Sequence, residues 1–196
     1  MSDLRKASIR CATVLGVTVL MAWGVTPAQA TVVDRGTFAG SETGVADELC
    51  GIAVVRDSTF SGSFRLRLDK ASDGQAFFQR LNFEYRDVFT NPVNGRSLTF
   101  EGKSLSNELK ATQVEGNIYS FTTIEAGQPF VVRDSGGNVV LRDRGVIRHR
   151  ILFDTLGDSA PGGITLEDEV IGIGGPHPGF EQSEEEFCGM VEGLIG

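Results

Sequence analysis

Over residues 61–69 (SGSFRLRLD), Phe64, Leu66 and Leu68 alternate with Ser63, Arg65 and Arg67. A period of two lets a strand bury one face, which no helix can do with the same pattern. The alternation returns over 76–90, where Leu81, Phe83, Tyr85 and Phe89 stand opposite Asn82, Glu84 and Arg86, and again over 97–104 with Leu98 and Phe100. Further extended segments read at 33–40, 52–55, 109–114, 118–125, 130–133, 139–154 and 164–173. Turn residues punctuate them: Asn91-Pro92-Val93-Asn94-Gly95, where Asn94-Gly95 favours a tight hairpin, then 134–138 (DSGGN) and the loop 155–163. No helical segment separates the strands, which argues against a parallel sheet.

The expectation is therefore an all-β fold of about eight antiparallel strands. It takes the form of a small up-and-down β-barrel, which removes exposed edges, with a β-sandwich as the alternative. One helix is expected near 184–194. There Ser183-Glu184-Glu185-Glu186 forms a capping-box pattern, and Phe187, Val191 and Leu194 follow at helical spacing.

Residues 1–30 read as an export leader. Arg5, Lys6 and Arg10 precede an apolar run over 11–25, and Ala28-Gln29-Ala30 supplies a small-residue cleavage pattern. That run is shorter than the roughly 20 residues a membrane span needs. Residues 31–196 then form a single secreted domain. The leader holds three of the 18 basic and one of the 26 acidic residues, so the domain carries a net charge of about −10. Such a surface repels nucleic acid and anionic lipid, and neither is an expected partner.

Cys50 and Cys188 are the two cysteines outside the leader. Outside the cytoplasm an even pair reads as a bridge, and neither belongs to a Cys-x-x-Cys redox pair.

The segments GTFAG, ELCG, FEYRDVFTNPVNGRSLTFEGKS, EAGQPFVVRDSGGNVVLRDRG, LFDTLGD and GPHPGF, followed by a late Phe-Cys, occur in this order. The order resembles a set of uncharacterised secreted actinobacterial proteins. The resemblance implies secretion and an all-β domain, and carries no activity or site residue. In architecture the pattern is similar to lipocalin-like and allene-oxide-cyclase-like barrels, an analogy that does not transfer function.

Chemistry-bearing residues are few. On 141–153, parity puts Leu141, Asp143, Ile147, His149, Ile151 and Phe153 on one face, unless Gly145 houses a bulge. His149 and Asp143 either line a cavity mouth and exchange a proton or are hydrogen-bonded near the core, the commoner arrangement. Tyr85 belongs to the same set of ligand-binding candidates. His177, between Pro176 and Pro178, either touches a ligand or closes a loop over the barrel end. Arg142, Arg144, Arg148 and Arg150 form a stripe on the opposite face, read as pairing across strands with acids such as Glu84, Glu101 or Glu125. Alternatively, their guanidinium forks receive a carboxylate or phosphate. No spaced zinc or calcium motif, nucleophile elbow or phosphate loop occurs, so no metal or cofactor is expected. Three uses fit: binding a small apolar or amphipathic ligand, a structural or interaction role in the envelope, and a cavity-based isomerase or cyclase. The first two rank above catalysis, because no catalytic constellation is recognisable.

Overall fold

The computed structural model describes residues 32–196; the expected leader lies outside the described residues. The chain is all-β. Seven strands run β1 (Val32–Leu49), β2 (Ile52–Leu68), β3 (Phe77–Thr90), β4 (Ser97–Glu115), β5 (Ile118–Arg133), β6 (Val139–Asp154) and β7 (Ile164–Gly174). They form one antiparallel sheet whose spatial order is the order along the chain. The sheet is not closed: β1 and β7 are its two edges.

Seven strands replace the expected eight or so because breaks in the alternation are bulges, not turns. Residues 97–104 and 109–114 fuse into β4 through a register shift between Glu108 and Lys110. Residues 118–125 and 130–133 fuse into β5 through a shift between Gly127 and Phe130. A bulge inserts one residue, flips the parity beyond it and bends the strand without ending it. Gly145 does not shift β6: Asp143 pairs with Phe130 and Ile147 with Glu125, so residues 141–153 keep one face.

Two connections differ from expectation. β1 reaches Leu49, and the chain turns on Cys50 and Gly51, both with positive φ (53° and 80°), the geometry of a two-residue primed turn. Between β3 and β4, Asn94-Gly95 does not make a two-residue hairpin. The loop spans residues 91–96, and the Asn91 and Asn94 amides donate to the Ile195 carbonyl at 2.8 and 2.9 Å. That carbonyl ends a helix and has no partner inside it, so the loop side chains satisfy it.

The helix is α2 (Glu184–Ile195), which follows a single turn, α1 (Pro178–Glu181). Ser183 caps α2 as expected: its hydroxyl accepts from the Glu186 N–H, and the Glu186 carboxylate accepts from the Ser183 N–H. Phe187, Val191 and Ile195 are buried against Val54, Phe89, Leu98, Phe100 and Val132. The Cys50–Cys188 disulfide ties α2 to the β1–β2 turn. The sheet face that α2 covers is the inner face. At its other end, the segment before β3 brings Ala76 onto Tyr119 and Phe121, making a second cluster.

Between the clusters, aromatic rings lie over cross-strand glycines. Phe38 covers Gly62, Phe60 covers Gly40 and Tyr85 covers Gly102. A side chain on Gly62 would meet the Phe38 ring and come within 2.5 Å of the Asn82 carbonyl oxygen, which is backbone and cannot yield. Gly62→Ala is therefore expected to cost about 1–3 kcal/mol, the usual range for overpacking. Urea denaturation checks this, and a loss below a few tenths would show that the ring does not need its glycine.

Candidate functional site

The inner face carries two kinds of surface. The first is an aromatic strip. Phe60 and Phe38 lie 6.4 Å apart, Phe38 and Phe83 stack at 6.2 Å, and Phe83 and Tyr85 stack at 5.9 Å. All four rings are only partly buried. They come from β1, β2 and β3, and the small residue opposite each of Phe38, Phe60 and Tyr85 lets the ring lie flat on the sheet.

The second is a polar row. Register places Glu108 of β4 beside Thr123 of β5, and Thr123 beside His149 of β6. His149 Nδ1–H donates to Asp168 Oδ1 of β7 at 2.8 Å. That bond raises the imidazole pKa, burial opposes the rise, and the charges of Asp168 and Glu125 reinforce it. With Nδ1 engaged, Nε2 is the nitrogen left for another partner. Burial pushes the Glu108 carboxyl up to about 7, although the Gln79 N–H, donating to Oε2 at 2.5 Å, pulls it down. Gln79 lies just beyond the last β3–β4 ladder pair, Arg80 with Asn107. Glu108 thus ends that ladder with its side chain. Thr123 is buried, and its Oγ1 has no hydrogen-bond partner among the described residues. A buried hydroxyl without a partner is uncommon and marks a place where a further polar group fits.

The other expected site residues gather elsewhere. Asp143 and His149 share a face but lie six residues apart, about 20 Å along the strand, too far to exchange a proton. Asp143 is 1 % exposed and accepts from the Gly179 N–H at 2.7 Å, receiving the start of α1. Burial pushes its carboxyl pKa up, against the Gly179 bond and the nearby His177. His177 is fully buried, its Nε2–H donates to the Gly174 carbonyl at 3.3 Å, and its ring meets Phe180 edge to face. Asp143 and His177 together seat residues 174–181 on β6. Tyr85 donates to the Pro129 carbonyl at 3.2 Å, and burial raises its phenol pKa, with the Asp87 and Asp143 carboxylates among the further causes. Asp143 and His177 thus seat α1 on β6, Tyr85 stands where the aromatic strip meets the core under α2, and His149 belongs to the polar row.

No family model, curated protein or solved structure matches this chain.

Of the β6 arginine stripe Arg142, Arg144, Arg148 and Arg150, only Arg150 has an ion pair among the described residues, and its partner is on β7 and not among the acids suggested from sequence. Arg150 pairs with Glu169, whereas Glu84 pairs with Lys103 and Glu101 with Arg133. For Glu84 and Glu101 the reason is strand order, since β6 lies two or more strands from β3 and β4; Glu125 is on the neighbouring β5 but pairs with Ile147, which puts it on the face opposite the arginines. Arg144 lines a groove of about 820 Å³ on the outer face, together with Arg86, Glu101, Lys103 and Glu84. Glu108 and Thr123 were not foreseen. Glu108 stands immediately before the β4 bulge, where alternation fails, and a threonine in a strand carries no signal of its own. Glu108 falls in the gap between the extended segments 97–104 and 109–114, so no alternation marked it.

Proposed function

We propose that this chain is an exported binding module that holds a small amphipathic molecule against the inner face. The occupant has a flat apolar body lying on the Phe38–Phe60–Phe83–Tyr85 strip. Its carbonyl or hydroxyl end reaches the Glu108–Thr123–His149 row. One observation carries the reading: a partly exposed aromatic strip shares a face with a buried, unpartnered Thr123 hydroxyl. Rings supply apolar contact, and a few convergent polar groups orient the occupant. A Glu108 that titrates near neutrality and an Nδ1-anchored His149 both offer donors to a carbonyl oxygen. In this reading the curled meander acts as a barrel-like cup. Export agrees with the Cys50–Cys188 bridge, since such bonds persist in oxidising compartments. Among the described residues no helix is long and apolar enough to cross a membrane.

Titration with N-phenyl-1-naphthylamine, an uncharged dye that brightens in apolar surroundings, tests the strip. Binding is expected, with Phe83→Ala weakening it about tenfold, the effect of losing one well-packed ring contact. Native mass spectrometry of protein purified from its own host tests for a carried molecule. No dye binding together with no carried mass would remove the reading.

The same polar row supports a second reading as a cavity-based isomerase. His149 anchored by Asp168, and a carboxyl near 7, are a matched proton donor and acceptor. The two readings part on His149→Gln, which keeps dye binding in both and abolishes turnover in the second alone.

A further inference from the structure

Arg35 of β1 pairs with Arg65 of β2, and Arg65 pairs with Arg80 of β3. Three guanidinium groups thus leave adjacent strands side by side on the outer face, from backbones about 5 Å apart. Arg67 adds a further positive charge on the same face of β2. Among the described residues none of the three has an ion pair, although Arg56, Lys103, Arg133 and Arg150 each have one. Glu84, further along that face of β3, is already engaged by Ser61 and Lys103. Like charges set directly opposite destabilise a sheet. Most basic residues of the described chain also lack an ion pair, so what sets these three apart is that they stand directly opposite one another on neighbouring strands with no acid between them.

The arginines line a groove of about 610 Å³ with Thr37, Ser63 and Asn82. Those three form the next row, two residues along each strand, about 7 Å away. Asn82 Nδ2 donates to Ser63 Oγ at 3.2 Å, which holds the two side chains at the groove wall. One end of the groove therefore offers guanidinium forks, and the other offers hydroxyl and amide groups at the distance of a sugar ring.

We propose that this groove binds a phosphate or sulfate monoester carried on a hydroxylated body such as a sugar. Guanidinium forks match the oxygens of either ester and neutralise them at short range. The bound anion also relieves the repulsion within the row. A long polyanion is disfavoured, because the net charge of the whole chain repels it while a small ester meets chiefly the local field. The site is on the face opposite the aromatic strip and does not depend on what the inner face holds.

Isothermal titration calorimetry at low ionic strength, with glucose 6-phosphate, glucose 6-sulfate, inorganic phosphate and glucose, tests the proposal. At least one ester is expected to bind about tenfold tighter than inorganic phosphate, and glucose not to bind detectably. The two ester arms decide which oxyanion is preferred. Arg65→Gln is expected to weaken the ester about tenfold, while Arg148→Gln, on β6, leaves it unchanged. Arg65→Gln removes a like charge, so its melting temperature should equal or exceed that of the parent, and its binding of N-phenyl-1-naphthylamine should be unaltered. Equal ester affinity in the parent and Arg65→Gln overturns the proposal, as does equal loss in Arg148→Gln. An inorganic phosphate affinity matching that of both esters overturns it too.

Discussion

Reducing the Cys50–Cys188 disulfide is expected to destabilise the folded chain by about 5 kcal/mol on the chain-entropy model, because the bond closes a loop spanning 138 positions. For a domain of this size that corresponds to a fall in melting temperature of about 10–20 °C. The bond joins the first hairpin turn to α2, so it links the two ends of the described chain. Without it, α2 is still held by Phe187, Val191 and Ile195 in the core and by Asn91 and Asn94 at its last carbonyl. The reduced chain should therefore fold, with the α2 end opening first. Thermal unfolding followed by circular dichroism, with and without reductant and in a Cys50→Ser/Cys188→Ser variant, measures the effect. A shift of under about 3 °C would mean that the chain is already so constrained when unfolded that the loop adds little.

Glu108→Gln is expected to stabilise the chain at pH 8 by about 3 kcal/mol and to leave stability at pH 4 nearly unchanged. The folded carboxyl titrates near 7, raised from 4.5. Below 4.5 it is protonated in both states and imposes no penalty. Between 4.5 and 7 the unfolded chain releases its proton while the folded chain retains it, so stability falls with rising pH by about 1.4 kcal/mol for each tenfold change in proton affinity. Glutamine carries no proton to lose, and its carbonyl can still accept the Gln79 N–H. His149 acts in the same direction. Held protonated by Asp168, it stabilises the fold below about 6.5, and that contribution is lost as pH rises through its raised folded value. Denaturant midpoints for parent and variant across pH 4–8 decide the matter. A variant that keeps the parent's full decline over this range would show that Glu108 does not cause it.

The β6 strand shows how far side-chain alternation carries. Leu141, Ile147, His149, Ile151 and Phe153 lie on the face that parity assigns, because β6 has no inserted residue between Leu141 and Phe153, its one shift falling before them at Val140. In β4 the same rule stops at Leu109, where the bulge changes the parity, and the polar row begins at that point with Glu108. The outer arginine row was visible only in halves. Arg65 and Arg67 stood out as one polar strand face, but nothing local aligned Arg35 or Arg80 with them. Likewise Asn94-Gly95 was recognisable as a turn, while its service to the Ile195 carbonyl depends on a helix about a hundred residues away.

What the amino-acid order determined alone was local: extended segments with one apolar face, the places where the chain reverses, and a capped helix at the C-terminal end. These follow from nearest-neighbour geometry, in which a side chain's direction repeats every second residue and a cap needs only its own first turn. What the tertiary structure decided was who stands beside whom. Strand register, set by bulges and by burial summed over the whole sheet, put Thr123 between Glu108 and His149, gave His149 to Asp168 instead of Asp143, and ranged Arg35, Arg65 and Arg80 in a row. A single inserted residue moves every later side chain to the other face, so these neighbours are a property of the assembled sheet.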